Sequence, residues 1–246
     1  MTFKMPETEQ KADYVRAQFD RIANRYDLCN NLVSLGMHNN WKNEAVKALN
    51  IKPGGNYLDV CCGTGDLTFL IAKHMEGLGY VTGLDFSSAM LDIANLRFTK
   101  LASQDKNLAS IAFVSGDAQN LPFEDKTFDG AIISFGLRNL TDFTAGLKEI
   151  KRVLNTGARL VNLDLNHPKP GLFTTFYQIY FNNVVPVIGE IFQGDRTAYT
   201  YLPKSLDTYP DSKGIKQIFT QAGLANIEFK SLAFDTVGLH WGDNLD

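Results

Sequence analysis

Five oxygen-bearing side chains, Asp59, Asp85, Asp117, Ser134 and Asp164, stand at or near the ends of apolar runs. Between the first two lies a glycine turn, Gly63-Thr64-Gly65, in the stretch Leu-Asp-Val-Cys-Cys-Gly-Thr-Gly-Asp that opens at Leu58. Glycines there let the backbone approach a ligand where a Cβ would block it. Asp85 closes the next apolar run, Val-Thr-Gly-Leu-Asp. That is where a βαβ unit places an acid to grip two ribose hydroxyls. The full dinucleotide fingerprint needs a third glycine three positions after Gly65, and the chain has Thr68. The tight helix approach that a pyrophosphate requires is therefore not provided.

Asp59 precedes the turn on the first strand. A carboxylate there suits a ligand with a cationic end, not one with two phosphates. S-adenosylmethionine is the adenosyl ligand that keeps the ribose and carries a positive head. The rival readings are a plain strand-turn-helix connection with no ligand, an NAD-dependent oxidoreductase, and a noncatalytic lipid- or cofactor-binding protein. The missing third glycine argues against NAD.

The elements that must position these groups are legible as periodicity. In residues 66–75, Leu67, Leu70, Ile71 and Met75 share a helical face. Ser87 can cap a helix bearing Met90, Leu91 and Ala94. Residues 111–117 and 128–136 read as strands, the second a nearly continuous apolar run expected of a strand buried on both faces. Asp142 opens a helix that Asn155-Thr156-Gly157 should stop, and 158–165 is the next strand. Alternating strands and helices argue a doubly wound, mostly parallel α/β sheet of Rossmann-like type. Ligands in such sheets sit beyond the carboxyl ends of the strands, so the five oxygen-bearing residues should line one rim. The reading is one domain over 1–246. A helical cap spans 1–50, a cofactor-binding core 51–165, a substrate-covering aromatic insertion 166–210, and a final helix and strands 211–246.

The chain has 246 residues, 44% hydrophobic and 21% charged, with a formal net charge of −3. This balance offers no electrostatic case for nucleic acid. Three cysteines, two of them adjacent at Cys61-Cys62, make no disulfide framework. With no apolar leader in MTFKMPETEQK, the expected location is the cytoplasm. No His pair has metal-ligand spacing, so no metal is expected.

Asp59 to Gly65, Asp85 and Gly116-Asp117-Ala118 together resemble a class I S-adenosylmethionine-dependent methyltransferase, which implies a seven-stranded sheet. Longer strings narrow the resemblance. Tyr26-Asp27-Leu28-Cys29-Asn30, Ser34-Leu35-Gly36-Met37-His38 with Trp41-Lys42, and Ser134-Phe135-Gly136-Leu137-Arg138-Asn139 resemble the ubiquinone/menaquinone biosynthesis C-methyltransferase family. So do Tyr201-Leu202, Ser205-Leu206 and Tyr209-Pro210. Asp164-Leu165-Asn166-His167-Pro168 and the following Phe173-Thr174-Thr175-Phe176 and Asn183-Val184-Val185-Pro186 are more similar to its naphthoquinone branch. The photosynthetic phylloquinone enzymes look especially similar there. Where many class I methyltransferases have glycine, this chain has Cys61.

The resemblance implies methyl transfer to a ring carbon of a prenylated naphthoquinol, with a benzoquinol as the alternative. It places Gly63, Thr64, Asp85, Asp117, Ala118 and Ser134 at the cofactor: Asp85 on the ribose, Asp117 and Ala118 at the adenine, Thr64 and Ser134 at the methionine end. The acceptor carbon must be electron-rich, so the reduced quinol is the substrate, and its oxyanion needs a donor. Arg138 is the candidate for that role. Arginine stays protonated and is not itself the base; the rival reading is a structural pair with a loop carboxylate. Asp164 and His167 are alternative acid–base candidates, and Asn139 either donates a hydrogen bond or caps the helix near Asp142. Tyr26, Trp41, Phe173, Phe176, Tyr177, Tyr180 and Phe181 are candidates for an apolar cover, with about half expected in the core. A lipid substrate further implies transient, peripheral membrane contact, and a homodimer is left open beside a monomer.

Overall fold

The computed structural model describes residues 8–105, 107–193 and 196–246, with side chains except at 8, 9, 172, 173, 193 and 196–200. The first seven residues of the 1–50 cap and the Phe173 side chain thus lie outside the described set.

Three helices come first: α1 (Thr8–Ile22), α2 (Tyr26–Val33) and α3 (His38–Leu49). The α/β alternation follows with β1 (Asn56–Val60), α4 (Asp66–His74), β2 (Tyr80–Asp85), α5 (Ser88–Gln104), β3 (Ser110–Ser115), β4 (Phe128–Ser134), α6 (Phe143–Val153) and β5 (Leu154–Leu165). Between β5 and the last strands run α7 (Leu172–Ile179), a π-helical turn (Tyr180–Val184), α8 (Val185–Gln193) and α9 (Arg196–Asp207). Then come α10 (Ser212–Gln221), β6 (Ala225–Leu232) and β7 (Val237–Asp243).

The described strands form one seven-stranded sheet in the order β3-β2-β1-β4-β5-β7-β6. The first five are parallel, and β7 runs antiparallel to both β5 and β6. This is the class I methyltransferase arrangement. The two last strands can pair directly because a short hairpin joins them, whereas each parallel pair needs a crossover. Tyr57, Leu58 and Val60 on β1 and Ala131, Ile132 and Ile133 on β4 are buried, as the apolar runs demand.

Alternate residues feed two cores. Tyr57 and Ile132 pack with Val46 and Leu49 of α3 and Leu67 and Ile71 of α4. Leu58 and Ile133 pack with Met90, Leu147, Ile150 and Phe219 from α5, α6 and α10. The caps are the expected ones: Ser87 Oγ accepts from Met90 N and Asp142 from Ala145 N.

One expected boundary is wrong. The helix does not run to Asn155-Thr156-Gly157; α6 ends at Val153 and those three residues lie in β5. Lys126 N and Thr127 N donate to the carbonyls of Arg152 and Val153, satisfying the helix's orphan acceptors from outside. Leu154 then pairs with Phe128, and a register shift between Phe128 and Gly130 absorbs the extra residues.

Candidate active site

β1 and β4 are neighbours whose chains leave the sheet in opposite directions. Both leave through a residue with left-handed backbone, Cys61 at φ 57° and Phe135 at φ 53°. Such a conformation costs a non-glycine residue about 1–3 kcal/mol, and it explains why glycine is common at the first position. Cys61 is accommodated because its partner is a glycine: a Cβ on Gly136 would fall 2.6 Å from the Cys61 Cβ.

The turn's missing third glycine has a similar cause. Thr68 is buried in α4, and its hydroxyl donates to Asp59 Oδ2 at 2.7 Å. The space comes from β2, where a Cβ on Gly83 would stand 2.9 Å from the Thr68 Oγ1. Close helix–strand packing is thus kept, with the glycine moved to the neighbouring strand. Burial pushes the Asp59 carboxyl up to about 7 despite the Thr68 bond, so a cation beside it would favour its charged form.

Asp85 ends β2. Its Oδ2 accepts from Gly63 N at 2.8 Å and its Oδ1 from Ser87 N at 2.9 Å. Burial raises it to about 6 against those bonds. It lines a narrow cleft of about 80 Å³ with Phe86, Gly116, Asp117 and Gln119. α1 covers this cleft through Ala12, Arg16 and Phe19. The helix is held by Lys11 Nζ donating to the Leu140 carbonyl at 2.6 Å and by Ser87 Oγ donating to Asp20 at 2.6 Å. Asp117 Oδ1 accepts from Gln119 N. Ala118 is buried in the core and its side chain does not line the cleft.

On the other side of the turn lies a cavity of about 450 Å³. Tyr26, Trp41, Phe176, Tyr177, Tyr180 and Phe181 all line it. Phe181 belongs to the buried core, Tyr26, Trp41, Tyr177 and Tyr180 are half-buried and pack against core residues, and Phe176 is exposed, so the aromatic stripe is cavity wall and core lining at once. The π-helical turn widens the helix where Tyr180 and Phe181 face this wall, a common device at functional sites. Tyr26, Cys61, Gly63, Ser134 and Phe135 line both spaces. The cleft and the cavity therefore meet across the ends of β1 and β4.

Thr64 lines the cavity, with its hydroxyl donating to Asp27 Oδ1 at 2.6 Å. Arg97 donates to the Thr64 carbonyl, to Asp27 and to Asp66, which also accepts from Lys42 Nζ at 2.6 Å. This network fixes the turn to α2, α3 and α5. Sequence reasoning assigned Arg97 no role, because its partners Asp27, Thr64 and Asp66 lie on distant segments.

Arg138 is buried and donates to Asp164 Oδ1 at 2.5 Å and to the Phe135 carbonyl at 2.7 Å. Burial disfavours its charge, and Asp164 more than reverses that, so it is held above the usual guanidinium range. Its carboxylate partner stands on β5, not on a loop. Asn139 is not the helix cap, since Asp142 is; it donates to the Phe135 carbonyl and accepts from the Tyr201 hydroxyl. His167 is engaged with the Tyr209 carbonyl at 2.7 Å. Of the five rim residues, Asp59, Asp85, Asp117 and Ser134 line one or both spaces, and Asp164 stands behind Arg138.

Most polar groups here are engaged within the protein. Among the described residues of the cavity wall, three buried side-chain atoms have no hydrogen-bond partner: Ser134 Oγ, Arg138 Nε and His38 Nδ1. Buried polar atoms without partners are rare in folded proteins, and Ser134 sits where the two spaces join. With the open backbone at Gly63 and the acid at Asp85, the residues fit an adenosyl ligand whose far end reaches the cavity.

A family model described as the ubiE/COQ5 methyltransferase family matches residues 7–244. The demethylmenaquinone methyltransferase of Staphylococcus saprophyticus subsp. saprophyticus is 37% identical over 97% of this chain and 99% of its own length. The protein of the same name from Lactiplantibacillus plantarum is 39% identical over 93% of this chain and 94% of its own. Among solved structures, an S-adenosylmethionine-dependent methyltransferase of Thermotoga maritima superposes with a TM-score of 0.61 at 18% identity. It covers 93% of this chain and 98% of that one.

The Arg138–Asp164 pair yields a stability test. Arg138→Ala leaves a carboxylate that is 1% exposed without its partner, which costs about 3–5 kcal/mol. The double variant Arg138→Ala, Asp164→Asn removes the uncompensated charge and is expected to recover at least half of that loss in urea unfolding. A single variant within about 1 kcal/mol of wild type would show that the pair carries little.

Proposed function

The chain belongs to the ubiE/COQ5 methyltransferase family, and on that premise we propose that it methylates a ring carbon of a prenylated 1,4-naphthoquinol, with S-adenosylmethionine as methyl donor. The observation that carries the reading is the shared wall. One narrow cleft suited to adenosine and one large apolar cavity meet at Cys61, Gly63 and Ser134. That the two relatives are demethylmenaquinone methyltransferases favours the naphthoquinol over the benzoquinol.

When bound, S-adenosylmethionine supplies a methyl group activated on a sulfonium. Asp85 accepts the ribose hydroxyls, Asp117 faces the adenine end, Gly63 and Thr64 form the turn against the methionine end, and Ser134 Oγ gains a partner there. The Ala118 role rests on its backbone, because its methyl is in the core. Asp59 presents negative charge to the cationic end. Arg138 Nε faces the oxyanion that develops on the quinol, in a space where few waters compete. Holding the acceptor carbon in line lowers the barrier by several kcal/mol.

The mouth of the cavity is apolar. Leu35, Met37, Phe176 and Phe234 line it and are 75%, 45%, 64% and 81% exposed. Among the described residues no helix is long and apolar enough to cross a membrane. These four side chains instead form a rim that rests on the bilayer surface while the isoprenoid tail stays in lipid, and residues 166–210 cover the ring.

Three outcomes are expected. First, the purified protein converts a demethylnaphthoquinol and S-adenosylmethionine to the C-methylated quinol by mass spectrometry; turnover on the benzoquinol precursor alone would move it to the other branch. Second, calorimetric affinity for S-adenosylhomocysteine falls as pH drops through about 6. Burial raises Asp85, its ionised form accepts the ribose bonds, and protonation removes them. Asp85→Asn should bind at least about tenfold more weakly and without that pH step. A wild-type affinity that is flat from pH 8 to 5 would contradict the assignment. Third, Leu35→Ser with Phe234→Ser weakens binding to phosphatidylcholine–phosphatidylglycerol vesicles by roughly tenfold or more, with affinity for S-adenosylhomocysteine unchanged. Equal vesicle binding would remove the rim from the argument.

A further inference from the structure

His38 opens α3 and lines the substrate cavity. Its Nε2 stands 3.0 Å from Asn31 Oδ1. The orientation of that amide is fixed independently, because Asn31 Nδ2 donates to the Asp27 carbonyl at 3.0 Å. Asn31 Oδ1 is therefore an acceptor, and Nε2 carries the ring hydrogen. Nδ1 is then a bare lone pair. It is buried and has no partner.

Among the described residues, the carboxylates of this wall are engaged. Asp59 receives Thr68, and Asp66 receives Lys42 and Arg97. Asp164, behind the wall, receives Arg138. A hydroquinone brings hydroxyl donors into a space where the wall's orphaned nitrogen acceptor is His38 Nδ1. Arg138 Nε, the orphaned donor, complements the same substrate's oxyanion.

On the naphthoquinol reading, we propose that His38 is the catalytic base, its Nδ1 receiving the hydroxyl proton of the quinol. As that proton leaves, the O–H electron pair stays on the oxygen as a quinolate; it then becomes a C=O π bond while the ring π electrons form the new bond to the methyl carbon. The S–CH3 pair stays on sulfur as a neutral thioether. The ring carbon, now carrying both hydrogen and methyl, loses its proton to water. Aromaticity returns, and the carbonyl oxygen takes back the proton from the imidazolium. One proton is released and His38 ends as it began.

The local field suits this cycle. Burial holds the imidazole down to about 4, with Lys42 adding to the drop and Asp66 opposing it, so the ring is unprotonated when substrate arrives. The charge that appears on the quinol oxygen then supplies the counter-ion that the imidazolium needs in a desolvated space.

Two substitutions separate chemistry from structure. His38→Gln keeps a donor for Asn31 at the ε position and removes the δ nitrogen. His38→Asn places an amide oxygen near the δ position, which accepts a hydrogen bond and takes no proton. We expect both to lower kcat by about 100-fold or more, with unchanged affinity for S-adenosylhomocysteine; His38→Asn should hold KM nearer wild type than His38→Gln. If His38→Gln turns over within threefold of wild type, His38 serves Asn31 alone and the proposal falls. If His38→Gln does not fold, His38→Asn decides by the same criterion. Wild-type protein that binds S-adenosylhomocysteine yet methylates no naphthoquinol would instead defeat the substrate reading on which this rests.

Discussion

The site depends on the reversal of strand order at the centre of the sheet. β1 has β2 on one side and β4 on the other, so the chains that leave their ends diverge and open a crevice. Here the divergence is achieved with side chains that resist it. Cys61 and Phe135 both take left-handed backbone, at about 1–3 kcal/mol each. Gly136 makes the geometry possible by leaving room for the Cys61 side chain. From that crevice follow the cleft on the Asp85 side, the cavity on the Asp59 side and their shared wall.

The crevice gathers acids in a buried place, and the structure handles their charge in different ways. Asp66 is neutralised by Lys42 and Arg97. Asp164 is neutralised by Arg138. Asp59 and Asp85 have no cation bonded to them among the described residues and are displaced upward by burial. The same acids, after burial itself, push the Cys61 thiol up. A protonated thiol is a poor nucleophile, which suits a cysteine facing a cavity for a ring whose oxidised form is electrophilic. Asp59 and Asp85 are the buried acids that a positively charged adenosyl ligand would satisfy.

Much of this was legible from residue type and spacing. Strand ends announce themselves where apolar runs stop at Asp85 and Ser134, and helix starts where Ser87 and Asp142 can cap, whereas β3 ends at Ser115, two residues before the expected Asp117. What escaped were pairings between distant segments. Thr68 at the third glycine position reads as a broken fingerprint, and only the sheet register brings Gly83 opposite it. Asn155-Thr156-Gly157 is a sound local stop signal, overridden when residues 126–127 take the last helical carbonyls. Arg138 was recognised as important, but its carboxylate lies 26 positions away on β5. His38 stood in a family string but without a role, because its value lies in which ring nitrogen Asn31 leaves bare.

The apolar cover and the chemistry are connected through water. A quinol carbon attacks a methyl group only if its electron density is not dissipated into solvent, and an oxyanion held by one guanidinium gains most where the dielectric is low. The segment that excludes water, from Phe176 to Phe181, belongs to the same helical excursion that carries the exposed Phe176 to the rim. Opposite it, Leu35 and Met37 precede His38 on the turn into α3. On the proposed reading, the residues that would meet the lipid and those that would meet the ring are neighbours in the chain on both sides of the mouth. Seating the rim on a bilayer would order these segments and, with them, the wall that holds His38 and Tyr180. Substrate access and barrier lowering are in this way properties of one surface, folded inward at one end and left apolar at the other.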